Sequence, residues 1–249
     1  MNFVTYLINL DRAPMRRAYM EEQLNRYQLP FTRIAAVSGD ALVEPIKGFN
    51  ERAYHLRTGK QKNKNEIGCY FSHLKVMETF LGSDAQYALV LEDDAQLPPE
   101  LSALLKATIA HRECWDLLRL SSSRKGEYKV LVGLDSTYQL AINFKVLKNT
   151  AAYLINRRAA AACVKNMQPM RQPYDVALDR DWAIGFKTAC IVPFPVKLSD
   201  HEGQISKAPR IRLFRSTTFH LFHFIDRVRR RRWRKRVFEQ AKSETNPSA

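Results

Sequence analysis

The chain has 249 residues, enough to bury a core without disulfide or metal staples, and its 45% hydrophobic and 26% charged content with 9 Gly and 11 Pro excludes collagen-like, disordered and low-complexity classes. The formal charge is +15, yet eight cations fall in the ten residues Arg227 to Arg236 (RVRRRRWRKR), leaving 32 cations against 25 anions, or +7, for the remainder. The basic excess is thus partly a property of one segment, which needs its own explanation.

Phe3 to Leu10 (FVTYLINL) is a nearly continuous apolar and β-branched run, the pattern of a strand buried on both faces. Asp11 offers a helix cap and Pro14 a first turn; Ala13 to Tyr27 then reads as a helix stopped by Pro30, and Phe31 to Val37 as a second strand. Val43 to Asn65 shows no period and reads as a loop. From Glu66, the residues Ile67, Tyr70, Leu74, Met77 and Leu81 keep a helical period, so a core-facing helix is predicted over Glu66 to Leu81. His73 lies off that stripe with Cys69 four residues before it, facing either a cleft or solvent. Tyr87 to Leu91 is a buried strand that ends in Glu92, Asp93 and Asp94, and a helix follows from Glu100 to about His111. Further strands are predicted at Trp115 to Leu120, Val130 to Val132, Tyr138 to Asn143, Ala151 to Ile155 and Cys190 to Val196, with helices over Arg157 to Met167 and Asp175 to Gly185. Strands alternating with helices indicate an α/β fold with an open, mostly parallel sheet.

Three carboxylates directly after a buried strand sit where such sheets bind ligands, at the carboxyl ends of strands. Like charges repel, and hard oxygen ligands suit Mg²⁺ or Mn²⁺ that also touches a phosphate. The plainer reading of the triplet is a solvated turn. A second group, Asp175, Asp179 and Asp181 in PYDVALDRDWAIGF, either meets cations or frames a polar cleft. Ser199-Asp200-His201-Glu202 puts an imidazole in a loop beyond a strand. The four cysteines form no zinc or disulfide pattern, and no Walker loop, G-x-G-x-x-G or nucleophile elbow occurs.

Taken together, INLDRAPMRR, NEIGCYFSHLKVME, ALVLEDDAQL, WDLLRLS, NTAAYLINRRAAA and PYDVALDRDW resemble, in order, the blocks of glycosyltransferase family 25, the lipopolysaccharide/lipooligosaccharide glycosyltransferases. The resemblance implies a GT-A-like, Rossmann-type sheet over residues 1–212. It also implies a UDP-sugar donor, commonly UDP-galactose, Mn²⁺ or Mg²⁺, and inverting transfer to a saccharide of a lipid-linked acceptor. By the same resemblance Glu92, Asp93 and Asp94 correspond to a D-x-D-like motif with Asp94 on the metal, and Asn9, Asp11 and Arg12 join Glu92 and Asp93 as donor-site candidates. Asp179 or Asp181 is the candidate base, and His201 a candidate third metal ligand.

Residues 213–249 form a basic amphipathic tail. Its aromatic residues Phe222, Phe224, Trp233 and Phe238 with the dense cations fit an interfacial helix on an anionic membrane; a packed helix with a solvated basic end is the alternative. The N-terminus shows no cleavable leader and no run approaches a membrane span, giving the expectation of a cytoplasmic protein, peripheral on the inner membrane. A non-enzymatic basic module for nucleic acid or carbohydrate is the competing function; no nucleic-acid motif supports it.

Overall fold

The computed structural model describes residues 3–199 and 208–245. It opens with β1 (Phe3–Asn9), α1 (Pro14–Arg26) and β2 (Thr32–Ala35), the expected βαβ start. The Asp11 cap does not form: Ala13 holds the cap position without a side-chain bond, and Asp11 turns outward onto Arg33. Within the segment expected to be a loop stands α2 (Glu51–Thr58), where the Asn50 side chain accepts from the Ala53 N–H at 2.9 Å and Gly59 closes the helix at φ 62°. The next helix, α3 (Lys64–Leu81), begins ahead of its apolar period because the Asn63 side chain accepts from the Asn65 and Glu66 N–H groups. There follow β3 (Tyr87–Glu92), β4 (Ala95–Gln96), α4 (Leu101–Ile109), β5 (Leu117–Arg119), β6 (Tyr128–Gly133), β7 (Gln139–Asn143), β8 (Ala152–Asn156) and α5 (Arg157–Asn166). The single helix expected over Asp175 to Gly185 is instead α6 (Tyr174–Leu178) and α7 (Asp181–Ile184), parted at Asp179 and Arg180. The chain closes with β9 (Thr188–Val192), β10 (Lys197–Leu198), α8 (Arg212–Ser216) and α9 (Thr218–Thr245).

Eight strands form one sheet in the order β2-β1-β3-β8-β5-β9-β7-β6, and pairing directions make six of them point one way, with β7 and β8 opposed. Alternate strand residues supply opposite cores. Tyr6, Ile8, Ala88, Val90, Tyr153 and Ile155 meet α3 and α5 on one face, whereas Leu7, Leu89, Leu91, Ala152 and Leu154 meet α1 and α4 on the other. This is a three-layer α/β arrangement with a mostly parallel central sheet flanked by helices, as expected. β1 sends its chain to β2 on one side through α1, and the return to β3 on its other side runs through α3 on the opposite face. The direction of winding reverses at β1, so its carboxyl end opens a crevice. Gly68 lets α3 close on that crevice, since a Cβ there would collide with the Val37 carbonyl oxygen.

Beyond the boundary expected near residue 212, α9 packs on the rest of the chain. Val237 and Ala241 of α9 are buried in the same core as Leu101 and Trp115, and Arg230 and Arg234 are buried beneath the helix. Trp233 and Phe238 also pack against that core, and Phe222 is half-buried under the Arg57 guanidinium at 4.7 Å, so of the four aromatic anchors expected to face lipid only Phe224 is exposed.

Candidate functional site

The crevice at the ends of β1, β2 and β3 holds a cavity of about 200 Å³ lined by Asn9, Arg12, Arg16, Val37, His73 and the acidic turn Glu92, Asp93 and Asp94, among others. Asn9 ends β1 and is buried; its amide donates to Asp93 Oδ2 at 2.7 Å and to the Ala13 carbonyl at 3.1 Å, fixing the turn to the sheet. Arg16, on the first turns of α1, reaches Asp93 Oδ1 at 2.5 Å and Asp94 Oδ2 at 3.4 Å. Arg12 stands at the mouth, donating to Asp40 at 2.6 Å and to Ser38 at 3.0 Å.

His73 is fully buried and turns inward from α3. Its ring stacks on Tyr174 at 4.0 Å, with Nε2 3.2 Å from Glu92 Oε1 and Nδ1 2.9 Å from the Tyr153 hydroxyl. Tyr174, Tyr153, His73 and Glu92 thus form one continuous chain of hydrogen-bonding groups, the two tyrosine hydroxyls lying 3.1 Å apart. Thr150 Oγ1 also donates to Glu92 Oε1, at 2.7 Å.

The three carboxylates feel different fields. Burial pushes Glu92 up, but the His73 hydrogen bond and charge outweigh it and hold Glu92 below the ordinary value. Burial raises Asp93 against the Asn9 hydrogen bond and the Arg16 charge. Asp94 is pushed up to about 7 by burial and then by the Glu92 charge, with Arg16 opposing. One guanidinium therefore serves a turn with an excess of buried negative charge, and Asp94 Oδ1 is buried without a hydrogen-bond partner. An orphaned hard oxygen beside an under-compensated carboxylate fits a divalent cation held by Asp94 and Asp93. The Cys69, His73 and Glu92 ligand atoms also lie within 4.8 Å of one another. That set fits a hard ion less well, because burial drives the Cys69 thiol well above its ordinary pKa and keeps it protonated.

A second cavity, about 270 Å³, shares Cys69 and Glu92 with the first and is completed by Glu66, Asn149, Thr150, Tyr174 and Asp175 among its walls. Glu92 is thus the carboxylate common to both. Asp175 is tied by the Val176 N–H at 2.8 Å and by Lys148 at 3.4 Å.

The structure does not bring Asp179 or Asp181 to this site. Both are buried, with Arg234 Nη2 2.8 Å from Asp179 Oδ1, Arg234 Nε 3.1 Å from Asp181 Oδ2 and Arg230 Nε 3.3 Å from Asp179 Oδ2. Carboxylates committed to arginines inside the core have no approach for an acceptor hydroxyl, so the expected base is corrected here. Asp11 lies outside the cavity wall, on Arg33. His201, with the Asp200 and Glu202 beside it, lies outside the described residues. Sequence reasoning missed Arg16 as a site residue and left His73 between cleft and solvent; both stood in quoted motifs, but their partners are 77 and 19 residues away.

Comparison with known proteins adds the following. The family model described as glycosyltransferase family 25 (LPS biosynthesis protein) matches residues 2–178. A Haemophilus influenzae relative is 25% identical over 177 residues, covering 70% of this chain and 60% of its own length. Procollagen galactosyltransferase 1 of Danio rerio is 27% identical over 132 residues, 48% of this chain and 21% of that protein. The inactive glycosyltransferase 25 family member 3 of Mus musculus is 25% identical over 191 residues, 70% of this chain and 32% of that protein. The chain therefore spans at most 60% of the length of these relatives. Among solved structures, S. aureus TarS 1-349 in complex with UDP-GlcNAc has a TM-score of 0.38 at 9% identity, covering 100% of this chain and 74% of that one.

Proposed function

This chain belongs to glycosyltransferase family 25, and we propose that it transfers a hexose, galactose first among them, from a UDP-sugar to a saccharide acceptor of lipopolysaccharide or lipooligosaccharide, with inversion and with Mn²⁺ or Mg²⁺. The observation that carries this reading is the orphaned Asp94 Oδ1 in an under-compensated acidic turn at the reversal point of the sheet. The galactosyl donor is supported by the name of the Danio rerio relative, and the acceptor by the family's description.

Asp94 and Asp93 would hold the cation, which when bound supplies Lewis-acid stabilisation of the departing diphosphate. The protein's own residues do the rest. Asn9 and Arg16 keep the turn in place, and Arg12 at the mouth meets the nucleotide. The acceptor saccharide lies in the second cavity, and Glu92, at the junction, takes the proton of its hydroxyl: Oε1 is held by Thr150 and His73, leaving Oε2 to face the acceptor. The hydroxyl oxygen then bonds to the anomeric carbon as the bond from that carbon to the diphosphate breaks and UDP departs.

The test is a panel of nucleotide sugars offered with Mn²⁺ to the full chain, followed by donor hydrolysis. UDP-galactose should be cleaved. Glu92→Gln should lower kcat by roughly 100-fold with UDP affinity retained, the signature of a group that acts in the transition state. A chain that binds and cleaves no nucleotide sugar would instead be a non-enzymatic member of the family. A lipid-linked acceptor would bring the chain to the cytoplasmic face of an anionic membrane; the exposed Leu213, Leu221 and Phe224 beside Arg227 are the surface for it, and no helix among the described residues is long and apolar enough to cross one. Co-sedimentation with phosphatidylglycerol vesicles should weaken in Leu221→Ser/Phe224→Ser.

A further inference from the structure

A third cavity, the largest of the three at about 360 Å³, lies where α2, the loops around residues 124, 148 and 172, and the start of α9 meet. Six of its wall residues are cations, Arg57, Lys60, Arg124, Lys148, Arg215 and Arg230, against one carboxylate, Asp226. That carboxylate is itself engaged by Arg180 at 3.2 Å. Lys60, Lys148 and Arg230 each have an acidic partner, Glu66, Asp175 and Asp179. Arg57, Arg124 and Arg215 have no carboxylate within ion-pair distance among the described residues, and Arg57 Nη1 is buried with no hydrogen-bond partner. Burial pulls both Arg57 and Arg215 below the ordinary guanidinium range, with the Asp226 charge opposing at Arg57, so among the described residues their charge is held there at a cost that no ion pair offsets.

These cations are held in a built structure. Phe222 lies under Arg57 at 4.7 Å and Phe219 under Arg215 at 3.5 Å, which orients both guanidinium planes. Gly59 carries the close approach of α8, since a Cβ there would fall 2.8 Å from Arg215 Cα. The strand-like contact continues on both sides, with the Gln61 N–H bonded to the Pro209 carbonyl and the Ile211 N–H to the Gly59 carbonyl, each at 2.9 Å.

The position matters as much as the charge. The cavity shares Pro173 with the middle cavity that contains Glu92, and their walls continue through the neighbours Lys148 and Asn149. A saccharide whose reacting hydroxyl meets Glu92 would extend toward these arginines. We infer that the basic cavity is a subsite for an anionic group, phosphate or carboxylate, carried on the acceptor saccharide. Planar guanidinium forks pair with both anions through two parallel hydrogen bonds, and an incoming anion would satisfy Arg57 Nη1. The word acceptor rests on the glycosyltransferase reading above; the anion site rests on the cavity alone.

The experiment is calorimetric titration of the full chain at low salt with UDP and Mn²⁺ present, using glucose, glucose 6-phosphate, glucuronate and inorganic phosphate as probes. Both anionic sugars should bind, glucose should not, and inorganic phosphate should bind more weakly than glucose 6-phosphate because it lacks the sugar. Arg57→Gln and the exposed Arg124→Gln should each weaken glucose 6-phosphate by about tenfold, the loss of a charge-assisted pair, while UDP affinity holds. The Arg124 variant keeps the test sound if Arg57→Gln disturbs folding. Equal binding of glucose and glucose 6-phosphate, or unchanged affinity in Arg124→Gln with a folded Arg57→Gln, would overturn the subsite. Phosphate binding as tightly as the sugar phosphate would overturn its assignment to an acceptor. Sugar phosphate bound by a chain that ignores UDP would keep the anion site and overturn the donor reading.

Discussion

Two acidic groups that look alike in the sequence, Glu92-Asp93-Asp94 and Asp179-Arg180-Asp181, have opposite fates in the fold. At the second, two carboxylates meet two arginines of α9, and Arg234 spends all its donors: Nε on Asp181, Nη2 on the side chain and carbonyl of Asp179, Nη1 on the carbonyls of Asn143 and Lys145. Charge is balanced two against two, and Asp179 Oδ2, which accepts no hydrogen bond, still lies 3.3 Å from the Arg230 guanidinium. At the first, three carboxylates share Arg16 and His73, and one oxygen of Asp94 has no hydrogen-bond partner. A buried ion cluster that is balanced acts as a joint between elements, whereas one left short of positive charge is ready for a cation from outside. Sequence spacing cannot separate the two, because the deciding partners are remote in the chain.

Removing α9 tests the joint most severely. A chain ending after Phe219 loses Arg230, Arg234, Val237 and Ala241 together, leaving Asp179 and Asp181 buried without their arginines and uncovering the part of the core that α9 packs on beside β6 and β7. We expect no cooperative thermal transition and retention of the bound dye ANS, so donor hydrolysis should vanish with the fold. A truncated chain that melts like the intact one would show that the joint is dispensable.

Asp179→Asn is the next largest step. It leaves two buried guanidiniums short of one charge, and breaking such a pair costs about 3–5 kcal/mol. Urea unfolding should show the midpoint falling. By contrast Asp94→Asn removes repulsion from a cluster with excess negative charge, so its stability should stay within about 1 kcal/mol of the parent. Activity should fall in the opposite order, with Asp94→Asn the inactive one.

The third step adds the missing charge. Mn²⁺ at about 100 times its dissociation constant should stabilise the folded parent by about 2.7 kcal/mol, read as a rise in melting temperature, and this rise should be absent in Asp94→Asn. An equal rise in both would move the ion to other ligands, Cys69, His73 and Glu92 being the next set.

Much of this architecture was legible from local pattern. β1, β3 and β8 were unbroken apolar runs because both their faces are covered, and α3 carried a clear apolar period. The segment containing α2 carried none: ERAYHLRT buries only Tyr54 and Thr58, and its caps Asn50 and Gly59 hold it instead. The break between α6 and α7 was hidden for a different reason. It lets Asp179 and Asp181 both face Arg234, a partner more than fifty residues away that the sequence showed only as one cation in a basic block. The same holds for the tail, where charge density announced a surface while Arg230 and Arg234 are buried in the core.

Asn9 and Asp11 allow the finest comparison, two polar residues at the end of one strand that both suited the donor site. Asn9 is buried, and its amide ties Asp93 to the start of α1, so Asn9→Ala should let the acidic turn shift and lower donor affinity. Asp11 stands with its side chain 80% exposed, and its partner Arg33 holds its carboxyl below the usual range through a hydrogen bond and charge. Water screens such a pair, and α1 starts at Pro14 without using the carboxylate as a cap. Asp11→Ala should therefore change UDP affinity by less than about twofold, as exposed ion pairs contribute little. Titration of UDP with Mn²⁺ against both variants measures the difference. Equal losses would mean that the nucleotide reaches past the cavity wall to Asp11, and that the donor site extends toward Arg33.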